Sequence, residues 1–304
     1  MSYRTCFEVS PTCPVEATTY GYYPNLGGNA FFMAIFAALF VSQLVYGVVY
    51  KTWTWMTAML IGCGLEAAGY AGRVIMHSNP WSSAGFKLQI VCLVLAPSFM
   101  SASIDLTLKH IVIVFGPQLS RLRPSLYTWL FIGLDFFSIL LQAIGGGLAA
   151  SGERNLKLLN TGNNVILAGI VMQVVQLVLF GLTSAWYIWS VWQYSKTHEL
   201  PKRGQAYLRD WKFRWFGVSI VIAFFAILVR CIYRIPEMAG GWGNGLQREE
   251  NTFLILDGAM VCLAGIVLTL FHPGYSFDQL SKVSFSSICA ARRDASGKIM
   301  IQMV

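Results

Sequence analysis

Residues 53–76 read WTWMTAMLIGCGLEAAGYAGRVIM and residues 215–237 read WFGVSIVIAFFAILVRCIYRIPE. Each is apolar for about 20 residues, the length an α-helix needs to cross roughly 30 Å of hydrocarbon. Each also carries ionisable side chains three and four residues apart: Glu66, Tyr70 and Arg73 in the first, Arg230, Arg234 and Glu237 in the second. That spacing puts them on a single helical face. An ionised side chain at mid-membrane costs roughly 2.5–3.5 kcal/mol on insertion scales, so both faces are expected to turn toward a protein interior or a wet cavity.

Comparable runs flank these two. They cover approximately Asn29–Tyr50, Phe86–Lys109, Leu126–Ala149, Val165–Trp189 and Thr252–Phe271. With Trp53–Met76 and Trp215–Ile235 they make seven. The 304 residues are 56% hydrophobic and only 12% charged, with a mean hydropathy of +0.57, which excludes an ordinary soluble domain. The expected fold is all-α, a polytopic bundle of seven transmembrane helices at residues 29–274, preceded by an extracytoplasmic segment at 1–28 and followed by a cytosolic tail at 275–304. No basic, short-hydrophobic, small-residue signal precedes the first run, so that run is expected to insert as an uncleaved anchor.

Lys and Arg set the expected orientation. Lys51, Arg121, Arg123, Lys196, Lys202, Arg203, Arg209, Lys212, Arg214, Lys282, Arg292, Arg293 and Lys298 fall on one side; Arg4, Lys87, Arg154, Lys157 and Arg248 fall on the other. The positive-inside rule then puts the amino terminus outside and the carboxyl tail in the cytosol. The net charge of +8 is mostly this orientation signal and gives no reason to invoke nucleic acid. From His198 to Arg214 the chain interleaves basic residues with Tyr207 and Trp211, and Tyr207, Trp211 and Trp215 recur every four residues. This reads either as an interfacial amphipathic helix touching anionic headgroups or as an ordinary positive loop beside a Trp belt that includes Trp186, Trp189 and Trp192.

Seven cysteines are scattered without a metal-binding pattern. Cys63, Cys92, Cys231 and Cys262 lie in spans as small packing residues. Cys6 and Cys13, on the expected extracytoplasmic side, are placed to form a disulfide, and Cys289 in the basic tail is a weak palmitoylation candidate. His77, His110, His198 and His272 are too dispersed for three to meet at a zinc ion. With no Ser–His–Asp arrangement and no nucleophile elbow, enzymatic activity is not expected. No Walker motif is present, so transport driven by this chain's own ATP hydrolysis is not expected either. No cofactor is implied.

Alternating helix directions put Glu66 near mid-span and Arg73, Arg230, Arg234 and Asp257 in the outer part, with Glu237 just past the sixth span. Three arginines would then balance Glu66, Glu237 and Asp257. Such a network either holds helices in register or offers arginine forks to a phosphate or carboxylate headgroup that displaces an internal carboxylate. Asp105 and Lys109, four residues apart, are expected to pair. Asp135 has no local partner: it is protonated, bonded to a hydroxyl, or part of a proton relay. Gln142, Gln173 and Gln176 suit interhelical hydrogen bonds or ligand contacts, the former favoured. Pro97 should kink the third span, and Gly145-Gly146-Gly147 permits either close helix approach or a local break.

In this order the motifs resemble the fungal RTA-like family: Tyr22-x-Pro24 with Asn29 and Phe32; Glu66-x-x-Gly69-Tyr70-x-x-Arg73; Ala96-Pro97; Asp135 with Gln142 and the glycine run; Gly169-x-x-x-Gln173; Arg230-x-x-Tyr233-Arg234-x-x-Glu237 with Gly240; Glu250, Asp257 and His272-Pro273-Gly274. The likeness runs from about Tyr22 to Gly274, and Asp105 departs from the family pattern. The resemblance implies a seven-helix fungal membrane protein of a lipid-translocating exporter family, linked to resistance against sphingoid long-chain bases, aminosterols and other toxic amphiphiles, with one branch linked to porphyrins. It carries ligand-binding roles onto Glu66, Tyr70, Arg73, Asp135, Gln142, Gln173, Arg230, Arg234, Glu237 and Asp257. The expected partners are membrane lipids or amphiphilic small molecules, and the expected location is the plasma membrane. Seven spans and basic cytosolic loops also suit a receptor or stress sensor for a lipid ligand, although the third span lacks a recognisable signalling signature at its cytosolic end.

Overall fold

A computed structural model describes residues 6–116, 128–151, 156–198, 201–241 and 243–276. Seven helices are long and apolar enough to cross a membrane: α1 (Leu26–Tyr50), α2 (Trp53–Ser78), α3 (Ser83–Phe115), α4 (Trp129–Ala149), α5 (Lys157–Thr197), α6 (Trp211–Ala239) and α7 (Glu250–Ser276). No strand is formed among the described residues beyond an isolated bridge between Ser10 and Cys13, which sits inside the loop closed by the Cys6–Cys13 disulfide. Arg121, Arg123 and Arg154, the tail beyond Ser276 and Cys289 lie outside the described residues.

Helix starts follow local chemistry. Asn25 caps α1 by accepting from Gly28 N at 2.9 Å, Ser82 caps α3 through Gly85 N at 3.3 Å, and Asp210 caps α6 through Lys212 N at 3.0 Å. Each satisfies an amide that the first helical turn leaves free. The Asp210 cap also divides the fifth-to-sixth connection. Lys202–Arg209 forms a short helix carrying Tyr207, whose ring lies 5.3 Å from that of Phe213. The chain then turns at Asp210, so Trp211 and Trp215 belong to α6 and the four-residue aromatic repeat is not one helical face.

Several spans outrun their hydropathy. α5 covers 41 residues, about 60 Å of helix, because polar residues on either side of the apolar stretch continue the helix at low cost. α6 likewise continues through Pro236 to Ala239, which corrects the placement of Glu237 beyond the span. α7 is irregular: Leu254–Ala259 forms a wide π-helical turn around Asp257.

α3 is the most enclosed span, with 67% of its apolar window buried against 28% for α1. Its approach to α2 is close because both helices lack side chains at the contact: a Cβ on Gly72 would lie 2.7 Å from Gly85 O. The glycine run does the same between α4 and α5. A Cβ on Gly145 would fall 2.6 Å from Ile166 N, and the helix continues unbroken through Gly147 to Ser151. Of the two expectations for this run, close packing is the one realised. Outward-facing positions such as Val49, Phe136, Leu182 and Phe225 are exposed and apolar, as a lipid-facing surface requires.

Candidate functional site

All ten residues assigned to ligand binding are buried, and they fall into two separate side-chain clusters. The first lies among α2, α6 and α7 near the end of the bundle that carries the N-terminal segment. Arg234 donates Nε and Nη2 to the two carboxylate oxygens of Asp257, at 3.0 and 3.1 Å, and Nη1 to Glu237 at 2.8 Å. Arg230 pairs with Asp257 through Nε at 2.7 Å. One carboxylate thus serves two guanidinium groups, and the π-helical turn is where α7 presents it.

Pro97 completes the surroundings of Arg230. A proline has no N–H, so the carbonyl four residues earlier, that of Leu93, loses its helical partner. Arg230 Nη2 donates to Leu93 O, replacing the missing bond. α3 stays a single helix through Pro97, and the residue expected to bend it also frees an acceptor for the ionic network.

Arg73 differs from the expected pairing. Its Nη2 donates to Glu250 at 2.9 Å and Tyr22 OH at 3.1 Å, and its Nε donates to Asn29 Oδ1 at 2.8 Å. Phe253 covers it, with the guanidinium carbon 4.2 Å from the ring centroid. Asn29 Nδ2 and Asn25 N also donate to Glu250, at 3.1 and 2.8 Å. Tyr20 packs beside Arg73, and burial holds both the Tyr20 and the Tyr22 hydroxyl above their ordinary pKa against the lowering pull of Arg73, so both stay phenols at neutral pH. Glu250, Asn29 and Tyr22 were not among the assigned ligand residues. Their signal was present in the family motif, but Glu250 precedes the hydrophobic run and read as loop.

Glu66 is therefore left over. It is fully buried, and neither of its carboxyl oxygens has a hydrogen-bond partner. The expected balance of three arginines against Glu66, Glu237 and Asp257 is corrected: Glu250, Glu237 and Asp257 form the ion pairs, and Glu66 is a fourth, surplus carboxyl. The Tyr70 hydroxyl is also unpartnered, while its ring stacks on Phe32 and Phe36 at 5.2 and 5.8 Å. An aromatic wall beside a carboxyl with open lone pairs can accept a cationic or hydroxyl-bearing group.

The second cluster lies among α3, α4 and α5. Gln142 Nε2 donates to Gln173 Oε1 and Ser138 Oγ, both at 3.0 Å, and Ser138 Oγ donates to Gly169 O at 2.7 Å. These are the interhelical bonds favoured for the glutamines. Gln176 Nε2 donates to Asp105 Oδ2 at 2.7 Å. No ion pair joins Asp105 to Lys109 among the described residues, which corrects that expectation: Asp105 turns inward, toward α4 and α5, where Gln176 meets it and Asp135 is its nearby acidic neighbour. Among the described residues, no three His, Cys, Asp or Glu side chains gather as metal ligands would.

Seven apolar helices with their ionisable groups turned inward define a polytopic integral membrane protein with a polar interior. The chain belongs to the RTA1-like protein family, whose model matches residues 59–280. It is 30% identical over 282 residues to the sphingoid long-chain base transporter RSB1 of Saccharomyces cerevisiae, an alignment covering 84% of this chain and 74% of that protein. It is 28% identical over 225 residues to protoporphyrin uptake protein 1 of the same organism, covering 73% and 69% of the two chains. Protein RTM1 is 27% identical over 221 residues, covering 72% and 67%. No solved structure gives a significant match.

Proposed function

We propose that this protein is a transporter that moves amphiphilic, lipid-like molecules across the membrane, with long-chain bases as its substrate class, and that it carries its cargo without chemical change. The observation that carries this reading is Glu66: a surplus, buried, unpartnered carboxyl beside an ionic network that is otherwise matched. A sphingoid base presents a primary ammonium and hydroxyl groups on an apolar chain. Glu66 suits the ammonium, and the Tyr70 hydroxyl, also unpartnered, suits a hydroxyl. Arg73, Arg230, Arg234, Glu237 and Asp257 shape this headgroup pocket, and Asp135, Gln142 and Gln173 line the second part of the path.

The orientation proposed is amino terminus outside. The skewed distribution of Lys and Arg supports it, and so does the Cys6–Cys13 disulfide, which suits an oxidising compartment. The plasma membrane is the proposed location, with segments 1–28 and 275–304 flanking the bundle on opposite sides. The test is reconstitution into proteoliposomes and measurement of the flipping of a fluorescent long-chain base. Glu66→Gln should cut the rate about tenfold or more, since a charge-assisted bond is worth roughly 1.5–3 kcal/mol. A native protein that accelerates no flipping sinks the proposal.

A further inference from the structure

Among the described residues, the cluster between α3, α4 and α5 holds two acids and no cation paired with them. Asp135 is buried on α4, and no N–H or O–H group hydrogen-bonds to either of its carboxyl oxygens. Asp105 on α3 receives Gln176 Nε2 on Oδ2 and has nothing on Oδ1. The two buried carboxyls are neighbours that act on each other. Two bare neighbouring carboxylates repel, and burial adds a desolvation cost for each charge. One proton held between them removes both costs: it gives one acid an O–H to donate and the other an acceptor's role, as in acid pairs that share a site.

Among the described residues, no neighbouring group supplies a counter-charge. From α3, the Ser101 hydroxyl lies near Asp135 but donates to Ser98 O at 2.9 Å, and Lys109 is half-exposed and forms no ion pair with Asp105. From α4, Ser138 is committed to Gly169 O. From α5, Gln176 binds Asp105 and keeps its own Oε1 unpartnered and buried, able to take a proton donor. From α6, the Cys231 thiol lies within electrostatic range of Asp135, and Arg230 beside it is held by Asp257 and Leu93 O. The site bridges three helices, so a change in its proton count alters how α3 seats against α4 and α5.

We propose that Asp105 and Asp135 form a proton-binding site, sharing one proton across the contact of α3 with α4, and that this proton is gained and lost during transport. The second clause rests on the transport reading; the first does not.

Infrared titration of the purified full chain in lipid nanodiscs tests the shared proton directly. Asp105→Asn and Asp135→Asn should each abolish the same protonated-carboxyl band, one that shifts in deuterated water. Gln176→Leu, which removes the amide on Asp105 and leaves both acids, should move that band without removing it. A band set unchanged in both Asn variants overturns the site. In proteoliposomes, the native flipping rate should vary about tenfold or more from about pH 5 to about pH 9, and Asp135→Asn should flatten this to within about twofold. Matching profiles for native and variant protein overturn the coupling while the band stands. If the native protein flips nothing, transport and coupling fall together, and the infrared result still decides the shared proton.

Discussion

The two interior clusters are equally buried but hold their polar groups by different means. Among α2, α6 and α7, three guanidinium groups meet three carboxylates through ion pairs of 2.7–3.0 Å, and one arginine even occupies a backbone carbonyl. Among α3, α4 and α5 there are amides, hydroxyls and two acids, joined by hydrogen bonds of 2.7–3.0 Å. Removing one member of a buried ion pair strands a charge in a medium that cannot solvate it; removing one amide leaves a dipole that can find another partner. The first cluster should therefore resist disruption of any one member more strongly than the second.

Mutations measure that difference. The largest effect is expected at Asp257, the one carboxylate shared by Arg230 and Arg234. Asp257→Ala should destabilise by about 3–5 kcal/mol, seen as loss of monodisperse protein on size-exclusion chromatography, whereas Asp135→Ala should leave a folded protein. Equal losses from both would erase the distinction. Next is Gly145→Leu, which drives a side chain into the α5 backbone and should cost about 1–3 kcal/mol, read as a lower thermal midpoint in lipid. Smallest is Gln142→Leu in the second cluster: transmembrane hydrogen bonds average about 0.6 kcal/mol, so the midpoint should barely move. Glu66→Gln sharpens the comparison from the other side. The native carboxyl has no partner, so neutralising it should leave the midpoint unchanged or raise it, while Glu237→Gln, which weakens a 2.8 Å ion pair, should lower it.

The spans themselves were legible because hydrophobic length is a one-dimensional signal, and all seven apolar runs became helices. The inward turn of Glu66, Arg73, Arg230 and Arg234 was legible for the same reason, since three- and four-residue spacing determines a face. Partner choice was not. Depth estimates along straight helices paired Arg73 with the span carboxylates, but the first residue of α7, Glu250, and Tyr22 of the N-terminal segment reach the same guanidinium. Neither lies in a hydrophobic run. Asp105 was assigned to Lys109 because four residues apart on one helix is the nearest local option; Gln176, 71 residues away, reaches it only through the packing of α3 on α5. Local periodicity cannot report contacts between helices far apart in sequence.

The tie between Leu93 and Arg230 has a mechanical consequence. It pins α3 to α6 partway along its length, with the glycine contact to α2 toward one end and Asp105 toward the other. α2 seats along the same helix, from Gly72 against Gly85 through Gly69 against Leu93 to Gly62 against Met100. Clamped from two sides, α3 can shift only as one stiff piece, so whatever displaces its ionic side displaces Asp105 with it.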